Sequence, residues 1–159
     1  MPLASGGPRA DARTSDAFAA FYELELPGQV RRASLLVGSR EAAHDLVHDA
    51  FVEVYRRWAT LRDPGSYLSV AVVNRCRDHA RRRTAQERRA PLLVPRGDPE
   101  AEVLWDALQK LPFPQRAALV LRYYHQLPER EIAGLLGCRT GSVGPWITRG
   151  LRALRRDLS

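Results

Sequence analysis

Cysteine, lysine and long apolar runs are the scarce features of this 159-residue chain, and each scarcity excludes something. The two cysteines, Cys76 and Cys138, stand 62 positions apart, with no CxxC pair and no zinc-ligand spacing around them. A disulfide framework or a structural zinc site is therefore not expected, and both thiols read as buried or half-buried in a reducing cytoplasm. His44 and His48 are spaced to grip a metal from one helix, but no third ligand and no HExxH glutamate accompanies them, so no metal or cofactor is expected. No apolar stretch approaches the ~20 residues of a membrane span, and the N-terminus shows no signal-peptide core. Strand-type alternation, a catalytic dyad and a phosphate-binding loop are also missing. These absences weigh against membrane insertion and against an enzyme, and they favour a cytoplasmic binding protein.

What remains is basic and apolar. The net charge is +7 with a pI near 10.2, which favours a polyanionic partner. Of the 25 basic residues only Lys110 is lysine. Because an arginine bias also accompanies a GC-rich genome, placement matters more than the total. Residues 75–89 hold seven arginines against two acids, whereas 98–106 hold four acids and no base. The charge is segregated into patches.

The apolar pattern has helical period throughout. A first helix is expected from Ser15 or Asp16 to about Leu24, with Phe18, Phe21 and Tyr22 on one face, and Pro27-Gly28 is expected to break it. A second covers roughly 29–37. Ser39 is placed to cap a long helix through Trp58, whose apolar stripe is Leu46, Val47, Ala50, Phe51, Val54, Tyr55 and Trp58. After the turn Arg62–Gly65, Ser66 is read as the cap of a helix that turns Leu68, Ala71, Val72, Cys76 and Ala80 inward. Residues 84–100 contain three prolines and a glycine and keep no period, as a linker does. Val103, Leu104, Ala107, Leu108 and Leu111 then open a second set of helices, with Pro114 in the first turn of the next. The expected fold is all-α: a disordered tail (1–15), a helical domain (16–83), a flexible linker (84–100) and a second small helical domain (101–157).

The second domain carries the most specific local signal. Residues 111–155 parse as helix, turn, short helix, tight turn and basic helix, with Gly137 ending the short helix where positive φ is wanted. No acid falls between Arg139 and Arg156. Two short helices joined by a glycine turn, the second one basic, form the unit that lays a helix into the DNA major groove.

Three motifs, in order, carry a family resemblance. R-E-A-A-H-D-L-V-H-D-A-F-V-E-V-Y-R-R-W (40–58) resembles the polymerase-binding helix of the extracytoplasmic-function sigma factors, a branch of the sigma-70 family. D-P-G-S-Y-L-S-V-A-V-V-N-R-C-R-D-H-A-R-R-R (63–83) resembles that family's promoter-melting helix, with Asn74 and Asp78 four apart. Leu111-Pro112, Gln115-Arg116, Leu121–Tyr124, Glu131–Ala133 and Gly141–Val143 follow its helix-turn-helix domain. The resemblance spans about 18–156. It implies an alternative sigma factor that binds core RNA polymerase and directs promoter recognition and opening, and it makes an anti-sigma factor a candidate further partner.

Roles follow from it residue by residue. Asp45, Asp49, Glu53 and Arg56, at i, i+4, i+8 and i+11, form one exposed helix stripe, which the resemblance makes the polymerase-docking face. Asn74, Arg77, Asp78, Arg81 and Arg82, with the turn Arg62–Tyr67 as a pocket wall, are implied in capturing flipped-out bases of the downstream promoter element. Tyr67 reads equally well as a core aromatic. For upstream duplex DNA the implied contacts are Arg116, Arg139, Ser142, Trp146, Thr148 and Arg149. The chain departs from the family at Gly144 and Pro145, where basic and hydroxylated residues are usual. With Ser142 as N-cap, Pro145 falls in the first turn, where a missing N–H costs little. Pro128 stands where the family prefers a Ser or Thr cap. The linker stretches to roughly 55–60 Å, enough for one chain to touch two promoter elements. A stand-alone helix-turn-helix regulator is the rival reading; it predicts no association with polymerase.

Overall fold

The structure, a computed structural model, describes residues 8–83 and 99–159. Among the described residues every regular element is helical. In chain order these are α1 (Pro8–Val37), α2 (Arg40–Arg56), α3 (Pro64–Arg82), α4 (Pro99–Gln109), α5 (Phe113–Leu119), α6 (Glu129–Leu136) and α7 (Thr140–Leu158). A π-helical turn, Val120–Tyr124, continues α5.

In the first unit, α1 packs on α2 and α3. Phe18, Phe21 and Tyr22 share one face of α1, as the period predicts, and meet Phe51 and Trp58. Ring centroids lie 4.6 Å apart for Tyr22–Phe51 and 5.3 Å apart for Phe18–Trp58. Val47, Val54, Leu68, Val72 and Cys76 complete a fully buried core. Ser39 caps α2 as expected, accepting from the Ala42 N–H at 3.2 Å. Gly38 before it takes φ +76°, the left-handed conformation that lets α1 turn sharply into α2. Asp63, rather than Ser66, caps α3, because its carboxylate accepts both the Ser66 N–H at 3.1 Å and the Ser66 hydroxyl at 2.6 Å.

The expected break at Pro27 does not occur: α1 runs through it for 30 residues. A proline inside a helix costs ~3 kcal/mol, but both flanks here are anchored. Phe21 and Tyr22 precede it, while buried Val30, Ala33, Leu36 and Val37 follow. Each large apolar side chain buried contributes about 1.5–3 kcal/mol, so packing outweighs the local cost. The helix also begins at Pro8, so residues 8–15 of the expected tail are helical, and only residues 1–7 lie outside the described residues.

The second unit wraps α4–α7 around Leu121, Ile132 and Val143. Leu108 and Leu111 turn inward as expected, but Val103 and Leu104 are 54% and 44% exposed, and Trp105 is the buried residue of that turn. Pro99 and Glu100, expected in the linker, already belong to α4; residues 84–98 lie outside the described residues. Gly137 ends α6 at φ +66°, and Pro128 precedes it without a side-chain cap, both as predicted. The next helix starts earlier than predicted. Thr140 is its first residue and Arg139 its N-cap, with the Ser142 N–H already donating to the Arg139 carbonyl at 3.0 Å. Pro145 therefore lies inside α7, beyond the first turn. α7 crosses α5 closely at Gly150, where a Cβ would stand 2.7 Å from Leu119 Cδ1.

The two units touch. Arg77 on α3 donates to the Leu136 carbonyl at the end of α6, and Gln109 Nε2 on α4 donates to the Leu35 carbonyl of α1 at 2.8 Å. Between them lies a cleft of about 1040 Å³, whose walls include Val37, Arg77, Arg81, Lys110, Phe113 and Trp146.

Candidate polymerase and promoter interfaces

Three rows of charged side chains leave the surface from three helices. On α2, Asp45, Asp49 and Arg56 are exposed opposite the buried stripe of Val47, Ala50, Phe51 and Val54. His44 and His48 are exposed on the same helix.

Glu53 is different. Its Oε1 accepts the Tyr67 hydroxyl at 2.7 Å, and its Oε2 meets Arg75 Nη2 at 3.2 Å. The carboxylate is turned toward α3 and is not a fourth member of the outward row. The Tyr67 hydroxyl, followed by Arg75, holds this carboxyl below the usual range, while Glu53 pushes the Tyr67 phenol up. Arg57 lies over the Tyr67 ring, 5.7 Å from its centroid.

On α3 the row is Tyr67, Asn74, Asp78 and Arg81, at i, i+7, i+11 and i+14 and so on one side of the helix. Asn74, Asp78, Arg81 and Arg82 are exposed, and Arg62 is exposed in the turn that leads into the helix. Arg77 is half-buried, because it faces the second unit and is held by the Leu136 carbonyl. Cys76, on the opposite side, is fully buried, and burial pushes its thiol up to about 12, consistent with an inert core thiol.

On α7 the earlier start changes which residues line up. Ser142, Pro145, Arg149, Arg152 and Arg156 stand at i, i+3, i+7, i+10 and i+14, a single stripe opposite buried Val143, Ile147 and Gly150. Arg149, Arg152, Arg155 and Arg156 together line one shallow groove. Arg139 is exposed at the helix start. Thr148 is exposed and flanks this stripe, three residues from Pro145 and four from Arg152. Trp146 packs against the core and lines the cleft between the units. Arg116, implied as a DNA contact, is only 7% exposed, and its Nη1 donates to Gln109 Oε1 at 2.7 Å. It ties α5 to α4. Arg152 and Arg156 share this stripe with Arg149, although the resemblance implies only Arg149 of the three as a DNA contact. The uninterrupted arginines at spacing three and four carried the signal.

Two aspartates lead the exposed α2 row, Asn74 and arginines are exposed on α3, and an arginine stripe lies on α7 within the helix-turn-helix. The Sigma-70 region 2 profile matches residues 21–86, and the Sigma-70, region 4 profile matches 101–154. The RNA polymerase sigma-E factor of Streptomyces coelicolor is 31% identical over 139 residues, covering 81% of this chain and 78% of that protein. The chain belongs to the sigma-70 family. The ECF RNA polymerase sigma factor BldN of the same organism is 28% identical over 172 residues, 94% of this chain and 63% of that protein. Among solved structures, the sigma factor RpoE of Bartonella quintana, determined in complex with the anti-sigma factor NepR, shares the fold. Its TM-score is 0.72 at 21% identity, covering 89% of this chain and 96% of that one. This is an alternative sigma factor of the extracytoplasmic-function branch, directing promoter-specific transcription, with core RNA polymerase and promoter DNA as its partners. Members of the family are non-catalytic subunits. None of the described helices is long and apolar enough to cross a membrane.

Proposed function

We propose that the three rows divide the work of initiation, and that the chain itself performs no catalysis. The α2 row, Asp45, Asp49 and Arg56, docks on core polymerase. The α3 row, Tyr67, Asn74, Asp78, Arg81 and Arg82, with Arg62 in the preceding turn, engages the strand exposed at the downstream element. The α7 stripe, with Arg139 at its start, engages upstream duplex. The observation that carries this reading is the separation of exposed charge onto three different helices. Acids project from the first, forked amide and guanidinium groups suited to base edges and phosphates from the second, and arginines from the third. A stand-alone regulator would need only the last of these. An anti-sigma factor, the partner in the related RpoE complex, is a further candidate partner.

The test is association with core polymerase after reversing Asp45 and Asp49 to lysine. Loss of co-purification with helical content unchanged supports the assignment. Wild-type yield from the double variant moves the docking face elsewhere.

A further inference from the structure

We propose that Glu53 is a positioning residue for promoter opening, holding Tyr67 at the head of the α3 row, and not a polymerase-docking residue as its place in the α2 sequence implies. The proposal rests on α3 being the strand-engaging surface. Glu53 lies one turn beyond Asp49, so the sequence alone assigns it to the acidic stripe. Its two oxygens are nevertheless spent across the helix pair: one accepts the Tyr67 hydroxyl at 2.7 Å, the other meets Arg75 at 3.2 Å. Tyr67 is the first member of the row that continues through Asn74, Asp78 and Arg81, and it lies in the first turn of α3, just after Arg62 and the N-cap Asp63.

That helical turn is fixed at its start by Asp63, which accepts both the backbone N–H and the hydroxyl of Ser66. A tyrosine ring has two free torsions and swings unless its hydroxyl is held. Here the hydroxyl is held by a carboxylate, a charge-assisted bond of the stronger kind, while Arg57 covers the ring. The ring is thus set at one angle beside the turn, presenting a fixed aromatic wall to an unstacked base. Arg75 neutralises the carboxylate, so the clasp leaves no bare negative charge facing a polyanionic strand.

The experiment uses holoenzyme assembled from the full chain and core polymerase. Glu53→Ala, Glu53→Gln, Tyr67→Phe and Asn74→Ala are compared for core association, for opening of duplex promoter against pre-melted template, and for base preference at each position of the bubble. Glu53→Ala is expected to leave core association unchanged and to slow opening on duplex by on the order of tenfold, the worth of one charge-assisted hydrogen bond. It should also flatten base preference at one position. Tyr67→Phe should behave alike. Glu53→Gln should recover most of the loss, because its amide oxygen still accepts from Tyr67, and it serves if the alanine variant melts early. Loss of core association in both Glu53 variants overturns the proposal and returns the residue to the docking face. Unchanged base preference at every position, with Asn74→Ala still impairing opening, also overturns it. If Asn74→Ala has no effect, the underlying assignment of α3 fails, and this proposal with it.

Discussion

Arg77 of α3 gives a guanidinium hydrogen bond to the backbone carbonyl of Leu136, the last residue of α6, 59 positions along the chain. A helix C-terminus carries partial negative charge and unpaired carbonyls, so an arginine there is favourable. The family resemblance implies a contact with promoter DNA for the same side chain; here Arg77 is half-buried and its Nη2 is committed to the Leu136 carbonyl.

Arg77→Ala should weaken the contact between the units without unfolding either one. Losing a hydrogen bond from a half-buried arginine is expected to cost about 1 kcal/mol. Small-angle scattering should report a larger radius of gyration at unchanged helical content, and Gln109→Ala, which frees the Leu35 carbonyl, should act in the same direction. Scattering curves that superimpose on wild type for both variants would mean that these bonds do not hold the units together.

His125 predicts a pH dependence. It follows the π-helical turn, its Nε2 is buried with no hydrogen-bond partner among the described residues, and its pKa is lowered to about 4 by burial and then by the charges of Arg32 and Arg31. The unfolded chain titrates near 6.5. Between about 6.5 and 4 the unfolded state binds the extra proton, so stability falls as pH drops through that window, by on the order of 1 kcal/mol once solvent screening of this half-buried ring is allowed for. His125→Phe keeps a ring beside Tyr124 and removes the titration. Melting temperatures of the variant should fall less than wild type between pH 7 and 5, and equal slopes would discount this histidine.

The elements legible in the sequence were those set by local chemistry. Ser39 at the start of α2, Gly137 at the end of α6 and the Phe18–Phe21–Tyr22 face each needed only a cap, a positive φ or a period of 3.6. Pro27 and Pro145 lie inside helices against the sequence expectation, because a local penalty of ~3 kcal/mol competes with packing from distant residues, which the local sequence does not show. For the same reason Val103 and Leu104 were placed inside and Trp105 was not. On a helix, spacing tells which side chains share a face but not which neighbour covers that face. Glu53, Arg77 and Arg116 look like surface charges in sequence; each is engaged by a residue on another element, Tyr67, Leu136 and Gln109 respectively.

Pro145 and Gly150 should respond in opposite directions on α7. Pro145 removes the N–H that would reach the Gly141 carbonyl. Restoring that bond, Pro145→Ala should raise stability by up to about 3 kcal/mol. Gly150→Val should lower it by about 1–3 kcal/mol through overpacking, since even a Cβ there sits 2.7 Å from a Leu119 side chain that is only 4% exposed. Thermal melts of both variants check the pair. A destabilised Pro145→Ala would show that the proline is needed to set the path of the helix.

The arginines of α7 should separate into readers and anchors. Arg149 lies nearer the helix start, beside Ser142 and Pro145, where a recognition helix meets base edges. Arg152 and Arg156 lie further along the same stripe, toward the groove wall and its phosphates. The nearby acid does not compete for them, because Asp157 pairs with Lys110 at 3.5 Å. Arg149→Ala should reduce discrimination between promoter variants, a bidentate base contact being worth about 1–3 kcal/mol. The double variant Arg152→Ala/Arg156→Ala should weaken all sequences alike. It should also make the slope of log affinity against log salt shallower by about 1.8, from two phosphate contacts at roughly 0.9 each. Holoenzyme binding across promoter variants and salt concentrations measures both effects. An unchanged salt slope in the double variant would place those arginines off the DNA, while a change in sequence preference would make them readers. Arg149→Ala with neither effect would remove this helix from upstream recognition, leaving Gly144 and Pro145 as marks of a region that no longer selects its sequence.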